Sequence, residues 1–225
     1  MTYSRPDIVS PAWAPSIKRI TLRNLPLLFI AILPALSFAA SAKDNPAGLA
    51  VLVNENPSNP QGQRHPGSVV WRTDRIKAAG QPDELVIHAD VEIPDMTLTM
   101  TIDIKRNTDK SLPASHVVKM TFVSPRDMAS SAVISVPGMM LKFSEQARGT
   151  PLAALSVKIT DGSFLVGLSN SESDRRRNLQ LLKESSWFDI PMVYANQHRG
   201  ILAVQKGLHG EDVFFQAMTA WEQLK

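Results

Sequence analysis

The chain has 225 residues with 44% apolar content and no cysteine, a length that suits one domain plus an appendage and a composition without disulfides, thiolate chemistry or cysteine metal sites. Its formal charge of +3 comes wholly from the first 42 residues, where Arg5, Lys18, Arg19 and Arg23 outnumber Asp7, so the remainder balances at 20 basic against 20 acidic residues. A neutral body argues against nucleic acid as a partner, which would need a clustered basic field.

In chain order, Lys18, Arg19 and Arg23 precede the apolar run Leu25 to Ala42, which ends in the small-residue site Ala40-Ser41-Ala42. That layout predicts a secretory signal over residues 1–42, and hence a periplasmic or secreted protein. The alternative is an uncleaved inner-membrane anchor over 25–42, although Pro26 and Pro34 interrupt a run that barely reaches the roughly 18 to 20 apolar residues a spanning helix needs. No cysteine follows to carry a lipid. Residues 43–66, rich in Asn, Pro, Gly and Gln, read as a linker with one possible strand at Ala50 to Val53.

The strand-rich body, residues 67–225, starts at Ser68 to Thr73. Leu85 to Val91 alternates, and Leu98, Met100, Ile102 and Ile104 interleave with Thr99, Thr101, Asp103 and Lys105. Across the turn residues Asn107 to Pro113, Val118, Met120 and Phe122 answer them, which predicts an antiparallel hairpin. Ser124 to Ser131 reads as a loop, and Val133 to Leu141 as a weaker strand broken at Pro137-Gly138. Asp161-Gly162 predicts a type I′ hairpin turn that sets Ile159, Val157 and Leu155 opposite Phe164, Val166 and Leu168, with all six on one buried face. Ser171 and Asp174 resemble a capping box opening a short helix through Lys183. Trp187 to Ala195 and Ile201 to Val204 pair across Asn196 to Gly200, and Gly210 opens a last helix whose early acids Glu211 and Asp212 suit its dipole and whose stripe is Phe214, Ala217, Met218 and Trp221. Eight or nine strands in consecutive hairpins, with two short helices in the C-terminal third, predict a mainly β fold: an antiparallel β-sandwich or a partly open barrel.

Candidate chemistry is sparse. Asp90, Glu92 and Asp95 could form a carboxylate site for calcium or a hydrolase, against the ordinary reading of a solvated strand face. Histidines 65, 88, 116, 198 and 209 have no metal-ligand spacing. No Gly-x-Ser-x-Gly, Gly-x-Gly-x-x-Gly or Walker sequence is present, and no cofactor is expected. Arg175, Arg176 and Arg177, with Arg148, are candidates for binding phosphate or an acidic partner, although three neighbours in a helix spread over about 200°. Trp71, Trp187 and Trp221 could stack on sugars but lie in apolar patterns that favour the core.

The runs Val70-Trp-Arg-Thr73, Leu112-Pro-Ala-Ser-His116, Glu145-Gln-Ala-Arg-Gly-Thr-Pro-Leu152, Thr160-Asp-Gly-Ser-Phe-Leu-Val-Gly-Leu-Ser169, Arg177-Asn-Leu-Gln-Leu-Leu-Lys-Glu184 and Trp187-Phe-Asp-Ile-Pro191 resemble a group of uncharacterised bacterial envelope proteins. From about Val136 onward the order of elements is distantly similar to the invasion-associated locus B family. That resemblance implies a secreted or periplasmic β-sandwich with no known enzyme activity, and no functional residues to transfer. The expected function is a non-enzymatic, exported protein that binds a protein or envelope partner, with a carboxylate-dependent hydrolase or carbohydrate binder, or a membrane-anchored assembly factor, as alternatives.

Overall fold

The computed structural model describes residues 47–76, 83–123 and 132–223, all within one compact unit, Lys43–Lys225. The expected signal or anchor and the loop Ser124 to Ser131 lie outside the described residues. Twelve strands are described: β1 (Gly48–Asn56), β2 (Asn59–Ile76), β3 (Glu84–Ile93), β4 (Leu98–Arg106), β5 (Ala114–Val123), β6 (Val133–Ser135), β7 (Met140–Lys142), β8 (Thr150–Pro151), β9 (Ala154–Thr160), β10 (Ser163–Ser169), β11 (Trp187–Tyr194) and β12 (Arg199–Gln205). Helix α1 (Glu172–Glu184) falls between β10 and β11, and α2 (Gly207–Gln223) follows β12. Among the described residues no helix is long and apolar enough to cross a membrane.

The strands form one antiparallel sheet in the order β8-β7-β11-β12-β1-β2-β3-β4-β5-β10-β9, with β6 beside β11. It curls into an open half-barrel, the second of the two expected architectures. Period-two alternation is what lets it curl around a core: Leu98, Met100, Ile102 and Ile104 of β4 and Val118, Met120 and Phe122 of β5 all turn inward and are buried. Helix α2 fills the interior with Val213, Phe214, Ala217, Met218 and Trp221, each large side chain contributing about 1.5–3 kcal/mol. Trp71 of β2 packs at 5.2 Å from the Phe214 ring and 5.7 Å from Phe188, and its indole N–H donates to Gln205 O at 2.8 Å. All three tryptophans of the strand and helix patterns, Trp71, Trp187 and Trp221, are buried.

Leu152 and Ala153 alone connect β8 to β9, the strands at opposite ends of the sheet. Three Cα steps span at most about 11 Å, so the two edges approach closely at this corner. Asn178 of α1, fully buried, clamps the connection: Ala153 N–H donates to its Oδ1 and its amide donates to Ala153 O, both at 2.9 Å.

Four local expectations need correction. Residues 59–66, expected as linker, continue β2, where Val51, Leu52 and Val53 pair with Pro66, His65 and Arg64. Strand β1 lies inside the sheet with β12 on its other side, so its backbone groups require a partner whatever the side chains opposite. The 155–168 hairpin forms in a different register. Only Gly162 of the turn has a positive φ, +70°, whereas type I′ requires it at both central residues, and an irregularity between Ser163 and Phe164 shifts the pairing by one. Phe164, Val166 and Leu168 stay inside but now face Lys158, Ser156 and Ala154. A one-residue slip inverts a strand's faces, so Leu155, Val157 and Ile159 stand 78, 55 and 51% exposed on the edge strand. At α1 the Ser171 hydroxyl donates to Asp174 Oδ2 at 2.7 Å and makes no bond to the helix backbone. Helix α2 begins at Gly207, a turn before Glu211, so its first turn holds no acid; Gly210 lies within the helix, where a Cβ would come within 2.8 Å of Trp71.

Candidate functional site

The apolar alternation of β4 gives out at Arg106. Asn107 then organises the turn, its amide donating to Asp109 O and Leu112 O at 2.9 Å and to Ala114 O at 2.8 Å. The chain returns in β5 with His116 in phase with Val118 and Met120, so its imidazole is delivered to the buried side. Asn170 and the first turn of α1 close one flank and the last turns of α2 the other. Together they enclose a cavity of about 310 Å³, at the small end of ligand-sized pockets.

One side of the cavity is apolar, formed by Ala114, Leu179, Met218 and Trp221. The Trp221 indole N–H donates to Leu85 O at 2.9 Å, which leaves the ring as an apolar surface. The other side carries Arg106, Asn107, Asn170 and Arg175, with the carboxylate Glu222 at the α2 end. Arg106 Nε donates to Glu84 at 3.2 Å. No carboxylate among the described residues pairs with Arg175. His116 lies 5.1 Å from the Trp221 ring, and its Nδ1 is buried without a hydrogen-bond partner among the described residues. Burial, with the charges of Arg106 and Arg175, lowers its pKa to about 4, so the imidazole is neutral at physiological pH. The neighbouring Ser115 hydroxyl donates to Ser169 O at 3.1 Å, turned to the backbone. Guanidinium and amide donors over an apolar wall are groups that hold a ligand and fix its orientation.

The four arginine candidates are separated. Arg175 lines the cavity; Arg176 pairs with Glu172 at 3.7 Å; Arg177 is exposed, its charge adding to the hydroxyls of Ser171 and Ser169 that hold the Asp174 carboxyl below its usual range; Arg148 is exposed on the segment leading into β8. The carboxylate candidates sit away from this cavity with partners of their own. Asp90 accepts from Arg72 and lies 3.1 Å from His88 Nε2; burial opposes ionisation, but these two partners hold its carboxyl below the usual range. Glu92 is exposed on the same outer face, and Asp95, in the turn Pro94–Met96, is 3.7 Å from His65 Nδ1. His88 is also 2.5 Å from Asp103, a surface network of the kind that contributes little to stability. Among the described residues no group of three histidines or acids is placed to hold a metal ion.

Compared with protein families, with curated proteins and with solved structures, the chain matches none. The cavity is therefore read from its own chemistry. Sequence reasoning reached Arg175 and missed Arg106, His116 and Asn170. The available signal was phase: His116 shares strand parity with Val118, Met120 and Phe122, which marks a histidine on a core face. Asn170 offered no such signal, since only the path of the chain between β10 and α1 brings it to the cavity.

Proposed function

We propose that the protein is an exported, non-catalytic binding module of the cell envelope, and that the cavity between the β4–β5 turn and the two helices is where it takes an envelope component. The cavity's division into an apolar wall and a cationic, amide-rich wall carries this reading, because it provides both desolvation and orientation for a ligand. Export is supported by the basic and apolar layout of residues 18–42 and by the resemblance to bacterial envelope proteins, distantly to the invasion-associated locus B family. The hydrolase alternative has less behind it, since Asp90 is already engaged by Arg72 and His88. Cell fractionation with N-terminal sequencing tests the compartment: the expected product is periplasmic or secreted and begins at Lys43, and an intact chain in the cytoplasm overturns the proposal. A product in the membrane that begins at Met1 would favour the anchored assembly factor.

One observation favours a second reading, capture of an extended segment from a protein partner. Strand β9 ends the sheet, and Leu155, Val157 and Ile159 are exposed along it, the arrangement used in strand addition. Val157→Lys should then abolish partner capture and leave cavity binding intact; capture that survives the change removes this reading.

A further inference from the structure

Resting on the reading of the cavity as a binding site, we infer that its ligand is a small organic monoanion, a carboxylate attached to an apolar body. Size comes first: about 310 Å³ lies at the lower end of the roughly 300–1,000 Å³ of small-molecule pockets, the space a compact ligand fills. A longer ligand would have to extend out of the cavity's open side.

Charge decides the polar end. Arg106 already shares its charge with Glu84 through the 3.2 Å contact, whereas Arg175 has no carboxylate partner among the described residues. An anion placed between the apolar wall and Arg175 gains a charge-assisted pair in a partly desolvated space, with the planar fork of the guanidinium matching a carboxylate. Glu222 faces the same cavity from α2 and disfavours a second negative charge, which selects a monoanion over a phosphate monoester. His116, neutral beside Trp221, adds no cation of its own.

The rest of the wall selects the body. Trp221, with its N–H committed to Leu85 O, offers only its ring, and Leu179, Met218 and Ala114 extend that surface. A ligand with hydroxyls along its length would leave them unpaired against this wall, at the cost of burying polar groups. The Asn107 amide is spent on three backbone carbonyls, which leaves the Arg175 guanidinium and the Asn170 amide as the main donors on this wall.

The test titrates the full chain with 3-phenylpropionate, with its neutral counterpart 3-phenylpropanamide and with phenyl phosphate, following the Trp221 indole N–H and the Leu179 and Met218 methyl resonances by NMR. The expected result is that the carboxylate shifts these signals and binds at least about tenfold more tightly than the other two. Arg175→Gln, a change at an exposed helix position, should lower carboxylate affinity by at least about tenfold. Equal binding of carboxylate and amide, or carboxylate binding indifferent to Arg175→Gln, overturns the charge assignment while the cavity remains a binding site. Tighter binding of phenyl phosphate overturns the choice of a monoanion. Absence of any shift with all three probes at 20 mM overturns both this inference and the cavity as a binding site.

Discussion

Removing the amide of Asn178 should loosen the corner where the half-barrel comes nearest to closing. The side chain is fully buried and makes two 2.9 Å hydrogen bonds to the backbone of Ala153. Asn178→Ala deletes both, at about 1 kcal/mol net each, and orphans the Ala153 N–H, where a buried group costs about 1–3 kcal/mol, while Ala153 O keeps the 2.8 Å bond it accepts from Ser169 N–H. Ala153 is half-buried, so water recovers part of that loss, and the expected destabilisation is about 2–4 kcal/mol. Urea unfolding measures it: with m of about 2 kcal/mol per M, the midpoint should fall by about 1–2 M at unchanged m. Gln180→Ala, which removes an exposed 3.2 Å contact to Glu184, serves as the control and should change stability by less than about 0.5 kcal/mol. A similarly small effect of Asn178→Ala would refute the idea that this clamp holds the two sheet edges together.

His116 predicts acid sensitivity: its folded pKa of about 4 lies below the ordinary 6.5, so between these values the unfolded chain binds a proton the native state lacks, and stability falls on acidification by up to about 3 kcal/mol. His116→Gln should flatten the slope in denaturant titrations; an unchanged slope contradicts the assignment. Lys206, buried with Nζ donating to Leu182 O at 2.5 Å and lying 4.3 Å from the Phe214 ring, has its pKa lowered to about 8 by burial. Stability should therefore rise from pH 8 toward 10, a rise that Lys206→Met removes and calorimetry can follow. In the β9–β10 turn, Gly162→Ala should lower stability by about 2 kcal/mol or more, because φ is +70° and a Cβ would lie 2.7 Å from Phe122 O. Asp161→Ala, at an exposed side chain paired with Lys158, should cost far less by thermal melting and leave ligand binding intact.

The elements with strict period-two patterns were legible from sequence: β4 and β5 form the expected hairpin because their apolar residues have only one productive face. The β9–β10 hairpin was legible as a pairing and not as a register, since Asp-Gly is compatible with more than one turn geometry and the bulge after Ser163 depends on the backbone. Residues 59–66 hid a strand because backbone ladders there are imposed by β1, not by local hydrophobicity. The cavity was visible only in fragments, Arg175 as part of a charge run and His116 as one histidine among five. Its assembly depends on α1, α2 and the β4–β5 turn converging, which no local pattern encodes.

The central claim, an exported binding module that works through this cavity, is tested most directly by titrating the ¹⁵N-labelled protein with the small-molecule fraction of a cell-envelope extract. Chemical-shift changes centred on His116, Asn170, Arg175 and the Trp221 indole are the predicted result. Changes centred instead on Asp90 and Glu92 of the outer face, or a spectrum that does not move, would contradict it.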